Sequence, residues 1–313
     1  MFAVILTVTL NAALDVTYQV SRLVPHTTHR VGEVVERPGG KGLNVSCVLA
    51  ALGVPTTVTG LVGGRTGAAL RARLAQAAPH ATDALVPVAG TTRRTVAVVD
   101  ASTGDTTMFN EPGPAVSTEE WLRFFDVYRE LLDGARAVAL CGSLPPGLPV
   151  GSYADLVRAA RAAGVPVLLD TSGEPLRRGI AARPDLVKPN AEELAQLTGM
   201  ADPTRAAHEA RRRGGRAVVA SSGPGGLLAV TGQGVWRAVP PERLAGNPTG
   251  AGDSAVAGLL SALVEGAPWP QRLARAVALS AATVRAATAG SFDRATYEAL
   301  LPRVVVTEEN KAA

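Results

Sequence analysis

The chain has 313 residues, with 31 Lys+Arg against 27 Asp+Glu and a formal net charge of +4. At 47% hydrophobic and 19% charged residues it carries too much apolar side chain for a disordered polymer. Its two cysteines, Cys47 and Cys141, exclude a disulfide-stapled fold, and the length suits one large α/β domain with at most a small appendage.

The apolar opening Phe2–Thr9 has no basic residue ahead of it and predicts a buried strand rather than a secretion signal. Thr17–Glu36 suits extended structure and shows no helical period. Leu43–Leu52 predicts a helix, with Val45, Val48, Leu49 and Leu52 on one face and Gly53 as its stop. A strand at Thr56–Val62 and a helix at Thr66–Ala77 follow. Thr92–Asn110 predicts a hairpin, Arg94–Asp100 and Thr106–Asn110, around the polar turn Ala101–Asp105. Helices are then predicted at Thr118–Leu132, Tyr153–Ala163, Ala191–Leu197 and Thr204–Arg213. Strands are predicted between and after them at Ala135–Leu140, Val165–Asp170, Leu186–Lys188, Ala217–Ser221 and Leu227–Val230. The C-terminal part predicts only helices, Ala251–Leu263, Gln271–Ala287 and Arg294–Leu301.

Strands alternating with helices imply βαβ units and a mostly parallel sheet covered on both faces. The two β pieces that interrupt the alternation suggest a small sheet standing off the main one. The uncharged stretch Ala217–Val235 is broken by Gly223, Pro224, Gly225 and Gly226, which argues against a membrane span. The cluster Arg211–Arg213 with Arg216 reads as a solvated helix end, because no aromatic residue is interleaved for base stacking. His26, His29, His80 and His208 lack metal-ligand spacing. Cys47 and Cys141 read as packing residues, and Trp121, Trp236 and Trp269 are too scattered for a stacking platform.

Asn247–Ser254 runs Asn-Pro-Thr-Gly-Ala-Gly-Asp-Ser ahead of an apolar helix. Gly250 and Gly252 permit a tight turn there, so that N–H groups of Gly250, Ala251 and Gly252 face an anion at the helix start. Asp253, in the first turn beside them, can accept a proton from an attacking hydroxyl. The plainer reading is a turn capped by Asp253. Arg37–Asn44, Arg-Pro-Gly-Gly-Lys-Gly-Leu-Asn, again sets glycines before a helix. Such a loop can lie against a polyhydroxylated ligand, with Lys41 and Asn44 as donors, or it can be a turn with a solvated lysine.

Taken together, Gly39–Asn44 and Thr249–Asp253 resemble the two signatures of the PfkB-type carbohydrate kinases, and further matches extend over nearly the whole chain. Thr7–Asp15 resembles the start of the phosphohexose branch, with Ala12 where proline is usual. Thr92-Arg93 is similar to that branch's phosphate-binding pair, with Thr95 where asparagine is frequent. Asn110–Pro114, Gly142–Gly147 and Asp170–Gly173 resemble the same branch. Lys188–Glu193 resembles the Asn-x-x-Glu motif that helps organise Mg²⁺, and Ser221–Gly226 the nucleotide-side loop.

The resemblance implies a ribokinase-like three-layer α/β/α sandwich, one domain over 1–313 with a small β lid from about 15–36 and 93–111. It implies ATP and Mg²⁺ as cofactors and phosphoryl transfer to a sugar hydroxyl. Asp253 would be the base, with Gly250, Ala251 and Gly252 around the transferring group. Asp15, Gly39, Gly40 and Asn44 would orient the sugar. Lys41 and Arg93, with Arg30 and Ser143, would hold a phosphate already on it. Lys188, Asn190, Ser221, Gly223, Gly226 and Thr249 would face the nucleotide, and Asn190 and Glu193 would position Mg²⁺. Expected substrates are fructose 1-phosphate or, alternatively, tagatose 6-phosphate or fructose 6-phosphate; the Thr-Leu-Asn start fits the first and Asn247-Pro248 the second equally well. More remote readings are a kinase of an unphosphorylated sugar or nucleoside, and a ligand-binding relative without activity. A glycosidase built on Asp15, Asp170 and Glu193 would have no use for the anion site beside Asp253. The expected setting is cytoplasmic, with no nucleic-acid or membrane partner and a homodimer formed through the lid.

Overall fold

A computed structural model describes residues 4–309. Strand β1 (Val4–Thr9) leads into β2 (Ala13–Val20), β3 (Val34–Gly39), helix α1 (Lys41–Ala51), β4 (Thr56–Val62) and α2 (Gly64–Ala77). Two short strands, β5 (Thr82–Asp83) and β6 (Val86–Pro87), precede β7 (Arg93–Asp100) and β8 (Thr106–Asn110). Alternation then gives α3 (Thr118–Leu132), β9 (Ala135–Cys141), α4 (Ser152–Ala162), β10 (Val167–Asp170), α5 (Gly173–Ala181) and β11 (Leu186–Val187). Next come α6 (Ala191–Thr198), α7 (Pro203–Arg212), β12 (Ala217–Ser221), β13 (Leu227–Val230) and β14 (Val235–Val239). The described chain ends with α8 (Ala251–Val264), α9 (Trp269–Thr283), α10 (Arg294–Leu300) and β15 (Val305–Glu309). Phe2 and Ala3 of the predicted first strand lie outside the described residues.

The main sheet runs β15-β14-β13-β12-β11-β10-β9-β1-β4-β5, with β6 beside β4. Pairing is parallel from β12 through β9 and β1 to β5, and antiparallel from β12 to β15. The parallel strands are apolar on both faces because helices cover both. On one side Val45, Val48 and Leu49 of α1 pack with Leu259 and Leu260 of α8 and Leu273 and Leu279 of α9. On the other, Phe124 and Tyr128 of α3, Leu156 and Val157 of α4 and Ala206 and Ala210 of α7 form the second core. Local chemistry fixes the helix starts: Ser117 and Glu120 close a capping box on α3, and Asn190 and Glu193 do so on α6.

The C-terminal part is not wholly helical. Strands β14 and β15 pair as an antiparallel edge, with Trp236 opposite Glu308 and Arg237 opposite Thr307. Their residues mix charged and apolar types, and only pairing across the chain makes them strands. Helix α9 ends at Thr283, short of the expected Ala287, before a turn holding Gly290 at φ 72° against Asn44. Trp236 and Trp269, distant in sequence, stack with centroids 6.1 Å apart, but both are buried and serve packing. Around Arg211–Arg213, Arg212 and Arg213 pair with Glu209, and Arg216 pairs with Asp185, as a solvated helix end does.

A separate four-stranded sheet runs β3-β2-β7-β8. Val16, Tyr18 and Val20 alternate with polar Thr17 and Gln19, and the apolar face this pattern predicts for a lid contact is partly covered within the chain itself. Register sets Val16 opposite Val96 and Tyr18 opposite Val98, and Leu14 and Val16 pack with Leu70 and Leu74 of α2 in the same chain. The face is covered near the main sheet. Apolar exposure persists on that face at Val34 (54%) and Phe109 (58%), and on the opposite face at Met108 (43%). Among the described residues no helix is long and apolar enough to cross a membrane.

Candidate active site

Strand β1 connects onward to β4 on one side, while β9, β10, β11 and β12 extend the sheet on the other. The order reverses between β1 and β9, and a crevice opens there beyond the strand carboxyl ends, the usual ligand position in such sheets. Asn11 follows β1, Ser143 follows β9, Asp170 ends β10, Lys188 follows β11 and Ser221 ends β12. Short loops from the strand ends therefore bring the predicted residues to one edge.

Asp253 sits in the first turn of α8, 7% exposed, and its Oδ2 accepts a 2.8 Å hydrogen bond from Asn44 Nδ2. Burial and the nearby Asp170 carboxylate push its pKa up to about 7, against the opposing pull of Asn44, Lys41 and Lys188. The helix is entered through Gly250 at φ 85°, where an added Cβ would lie 2.9 Å from Ala289. One expectation fails here: the Ala251 N–H is not free, because it donates to the Pro248 carbonyl at 3.1 Å and closes the turn. Among the described residues the Gly252 and Asp253 N–H groups keep no main-chain partner, and the helix dipole adds positive potential beside them.

Asp170 is the residue whose role the motif alone left open. It is 1% exposed, its Oδ1 accepts from Lys41 Nζ at 3.1 Å, and its Oδ2 lies 3.7 Å from Lys188 Nζ. Lys41 and Lys188 thus share one buried carboxylate, a pairing that the Lys41 motif does not show. The Lys41 ammonium turns onto Asp170, within electrostatic reach of Asp253 and Glu193, and these acids hold its pKa above the usual lysine range despite burial. Lys188 Nζ lies 3.5 Å from where a Cβ on Gly252 would sit, over the start of α8.

A second group stands on the small sheet. Asp15 of β2 lies against the Gly39 backbone so closely that a Cβ on Gly39 would fall 2.1 Å from its carboxyl carbon. Burial raises the Asp15 pKa to about 6, while Arg93 and the Thr95 hydroxyl pull it down. Thr95 thus supports Asp15 across the β2–β7 register. Arg93 donates from Nε to the Asn11 carbonyl (3.3 Å) and from Nη1 to the Glu111 carbonyl (3.2 Å). Thr92 is buried and accepts from the Gly63 N–H at 2.9 Å, which anchors the strand from which Arg93 projects. Ser143 is exposed at the crevice and bonded to Asn11 Nδ2 at 3.1 Å. Gly40, at φ 109°, caps α1. Arg30 is exposed on the connection between β2 and β3.

On the far side, Asn190 bridges to Ser221, and the loop after it turns through Gly223 (φ 54°) and Gly226 (φ 82°). A Cβ on Gly226 would lie 2.0 Å from the Ala238 carbonyl oxygen. Thr249 is exposed, its N–H held by Asn247 Oδ1 at 3.0 Å. Asn190 Oδ1 and Glu193 Oε2 are engaged in the α6 capping box. That box leaves Glu193 Oε1 as a hard oxygen donor at the edge of the site, a type suited to a hydrated Mg²⁺. Among the described residues no cluster of three or more His, Cys, Asp or Glu forms a protein cage for a metal.

Comparison with known proteins agrees with this arrangement. Residues 8–295 match the model of the pfkB family carbohydrate kinases. The tetrameric inhibited form of phosphofructokinase-2 from Escherichia coli aligns at 30% identity and TM-score 0.89, covering 97% of this chain and 99% of that one. A possible 1-phosphofructokinase from Thermotoga maritima aligns at 28% identity and TM-score 0.89, covering 98% and 100%. Arabidopsis thaliana ribokinase, at 23% identity and TM-score 0.73 over 96% and 99%, shares the fold. A family match along nearly the whole chain, on a fold that gathers a helix start with free N–H groups and a buried carboxylate at the strand carboxyl ends, makes this chain a member of the PfkB carbohydrate kinases, phosphotransferases acting on a sugar hydroxyl.

Proposed function

We propose that the chain is an ATP-dependent kinase of a ketohexose phosphate, with fructose 1-phosphate as substrate and fructose 1,6-bisphosphate as product. The observation that carries the reading is Arg93. Two of the five N–H groups of a guanidinium are spent on main-chain carbonyls, so three remain to grip an anion beside Asp15. A neutral sugar gives such a group nothing anionic to hold.

In this reading Asp15, Gly39, Gly40 and Asn44 orient the sugar, while Arg93, Ser143 and Arg30 hold its phosphate. Asp253 takes the proton of the attacking hydroxyl; Asn44 occupies one carboxylate oxygen and leaves the other for that proton. Gly250, Gly252 and the start of α8 face the transferring phosphoryl group, with Lys41 and Lys188 adding charge from the side of Asp170. Lys188, Asn190, Ser221, Gly223, Gly226 and Thr249 line the nucleotide side. Asn190 and Glu193 would hold Mg²⁺ through water, and the ion would neutralise phosphate charge when bound. The free, buried thiols of Cys47 and Cys141 accord with a reducing, cytoplasmic setting.

A coupled assay of ADP release with fructose 1-phosphate, fructose 6-phosphate, tagatose 6-phosphate and free fructose tests this. The highest kcat/KM for fructose 1-phosphate is expected. A higher value for another ketohexose phosphate reassigns the substrate, and a higher value for free fructose overturns the reading.

The acid limb of kcat/KM should follow Asp253. A raised carboxyl pKa means the base is protonated below about 7 and ionised above it, so activity rises with pH through that value. Replacing Asp170 by Asn removes a like charge and should move the limb down by on the order of one pH unit. An unmoved limb would place the titrating group elsewhere.

The small sheet would act as a lid. Val34 and Phe109, on one face of it, remain exposed, and we propose that a second copy covers them. Sedimentation at micromolar concentration should give a dimer, and Phe109→Asp should weaken it. A monomer with and without substrate would refute the dimer.

A further inference from the structure

Three segments converge on Asn11, a residue that the substrate-binding assignments above do not use. It stands in the turn between β1 and β2, at the crevice where the sheet order reverses. Its main-chain carbonyl accepts from Arg93 Nε at 3.3 Å, at the start of β7. Its side-chain Nδ2 donates to Ser143 Oγ at 3.1 Å, in the loop after β9. Gly113, after β8, has φ 63° and packs so closely that a Cβ there would lie 2.2 Å from Asn11 Oδ1. That oxygen is buried and has no hydrogen-bond partner among the described residues.

We propose that Asn11 is a positioning residue for the phosphate carried by the substrate: it joins Arg93 and Ser143, from opposite sides of the crevice, into one anion grip. A serine hydroxyl has one proton to give and two lone pairs to receive. With Asn11 Nδ2 donating into a lone pair, the Ser143 proton is free to point outward toward an anion. The Asn11 carbonyl meanwhile fixes the guanidinium through Nε and leaves its outer N–H groups to the same anion. Arg93 meets neutral carbonyls in these two bonds, while the Asp15 and Glu111 carboxylates act on it electrostatically. Gly113 is needed because any side chain would displace the Asn11 amide.

The inference rests on the sugar-phosphate reading, and the test separates the two. kcat/KM is measured for the preferred ketohexose phosphate and for free fructose in wild type, Asn11→Ala, Asn11→Asp, Arg93→Ala and the Asn11→Ala/Arg93→Ala pair. Asn11→Ala should lower the value for the sugar phosphate about tenfold, chiefly through KM, and that for free fructose by less than about threefold. Asn11→Asp keeps the size but accepts the Ser143 proton and faces the anion with a like charge, so its loss with the sugar phosphate should be larger. In the Arg93→Ala background Asn11→Ala should add less than about threefold, because the two act as one unit. Equal falls for both substrates, or full additivity, would overturn the role of Asn11. A wild type without preference for the sugar phosphate would overturn the substrate reading instead. If Asn11→Ala does not fold, Asn11→Asp alone decides, since an intact preference in it refutes the grip.

Discussion

Asp253→Asn lowers kcat by about 10²–10⁴ with little change in KM, the usual contribution of a general base. Asparagine keeps the size, the place in the first turn of α8 and an oxygen for the Asn44 amide, which donates to Oδ2 at 2.8 Å. It cannot take a proton. The variant therefore isolates proton acceptance from shape. Because the wild-type carboxyl is pushed up to about 7, its basicity is matched to neutral pH, where correct ionisation and proton affinity are both served. The variant should also lose the acid limb of the pH profile, since the titrating group is gone. Single-turnover measurements at saturating nucleotide, alongside thermal melting to confirm folding, check this. Turnover near the wild-type value would remove Asp253 from the chemistry.

Arg93→Ala should cost about 1.5–3 kcal/mol in kcat/KM for a sugar phosphate, roughly tenfold to a hundredfold. The same change should cost free fructose far less. The remote phosphate supplies binding energy that also turns the reacting hydroxyl toward Asp253, so part of the loss should fall on kcat. Arg93→Lys should recover only part, because an ammonium lacks the planar fork that meets two phosphate oxygens. Arg93 also bonds the Asn11 and Glu111 carbonyls, so a purely structural defect is the competing account. A structural defect lowers both substrates together, and an equal fall for both would remove the main physical support for a phosphorylated substrate.

Local pattern by itself determined much of this protein. Helical and strand periodicity along Leu43–Leu52, Thr118–Leu132 and Ala135–Leu140 predicted elements that the structure contains, within a few residues at their ends. The two glycine-rich motifs carried the family resemblance, because a tight turn into a helix start needs glycine at particular positions of the chain itself. Tertiary structure alone decided the partners. Lys41 and Asp170 lie 129 residues apart, and Asn11 and Ser143 132 apart, so no local period relates them. The order β10-β9-β1 set Asp170 within reach of Lys41, a partner that the glycine-rich motif does not name. Thr95 gained its role from the parallel register of β2 and β7. Helix α2 covered a face that alternation alone left open, and β14 and β15 became strands by pairing, β14 with β13 and β15 with β14. In each case the deciding contact joins segments brought together by strand order, which side-chain periodicity along one segment does not encode.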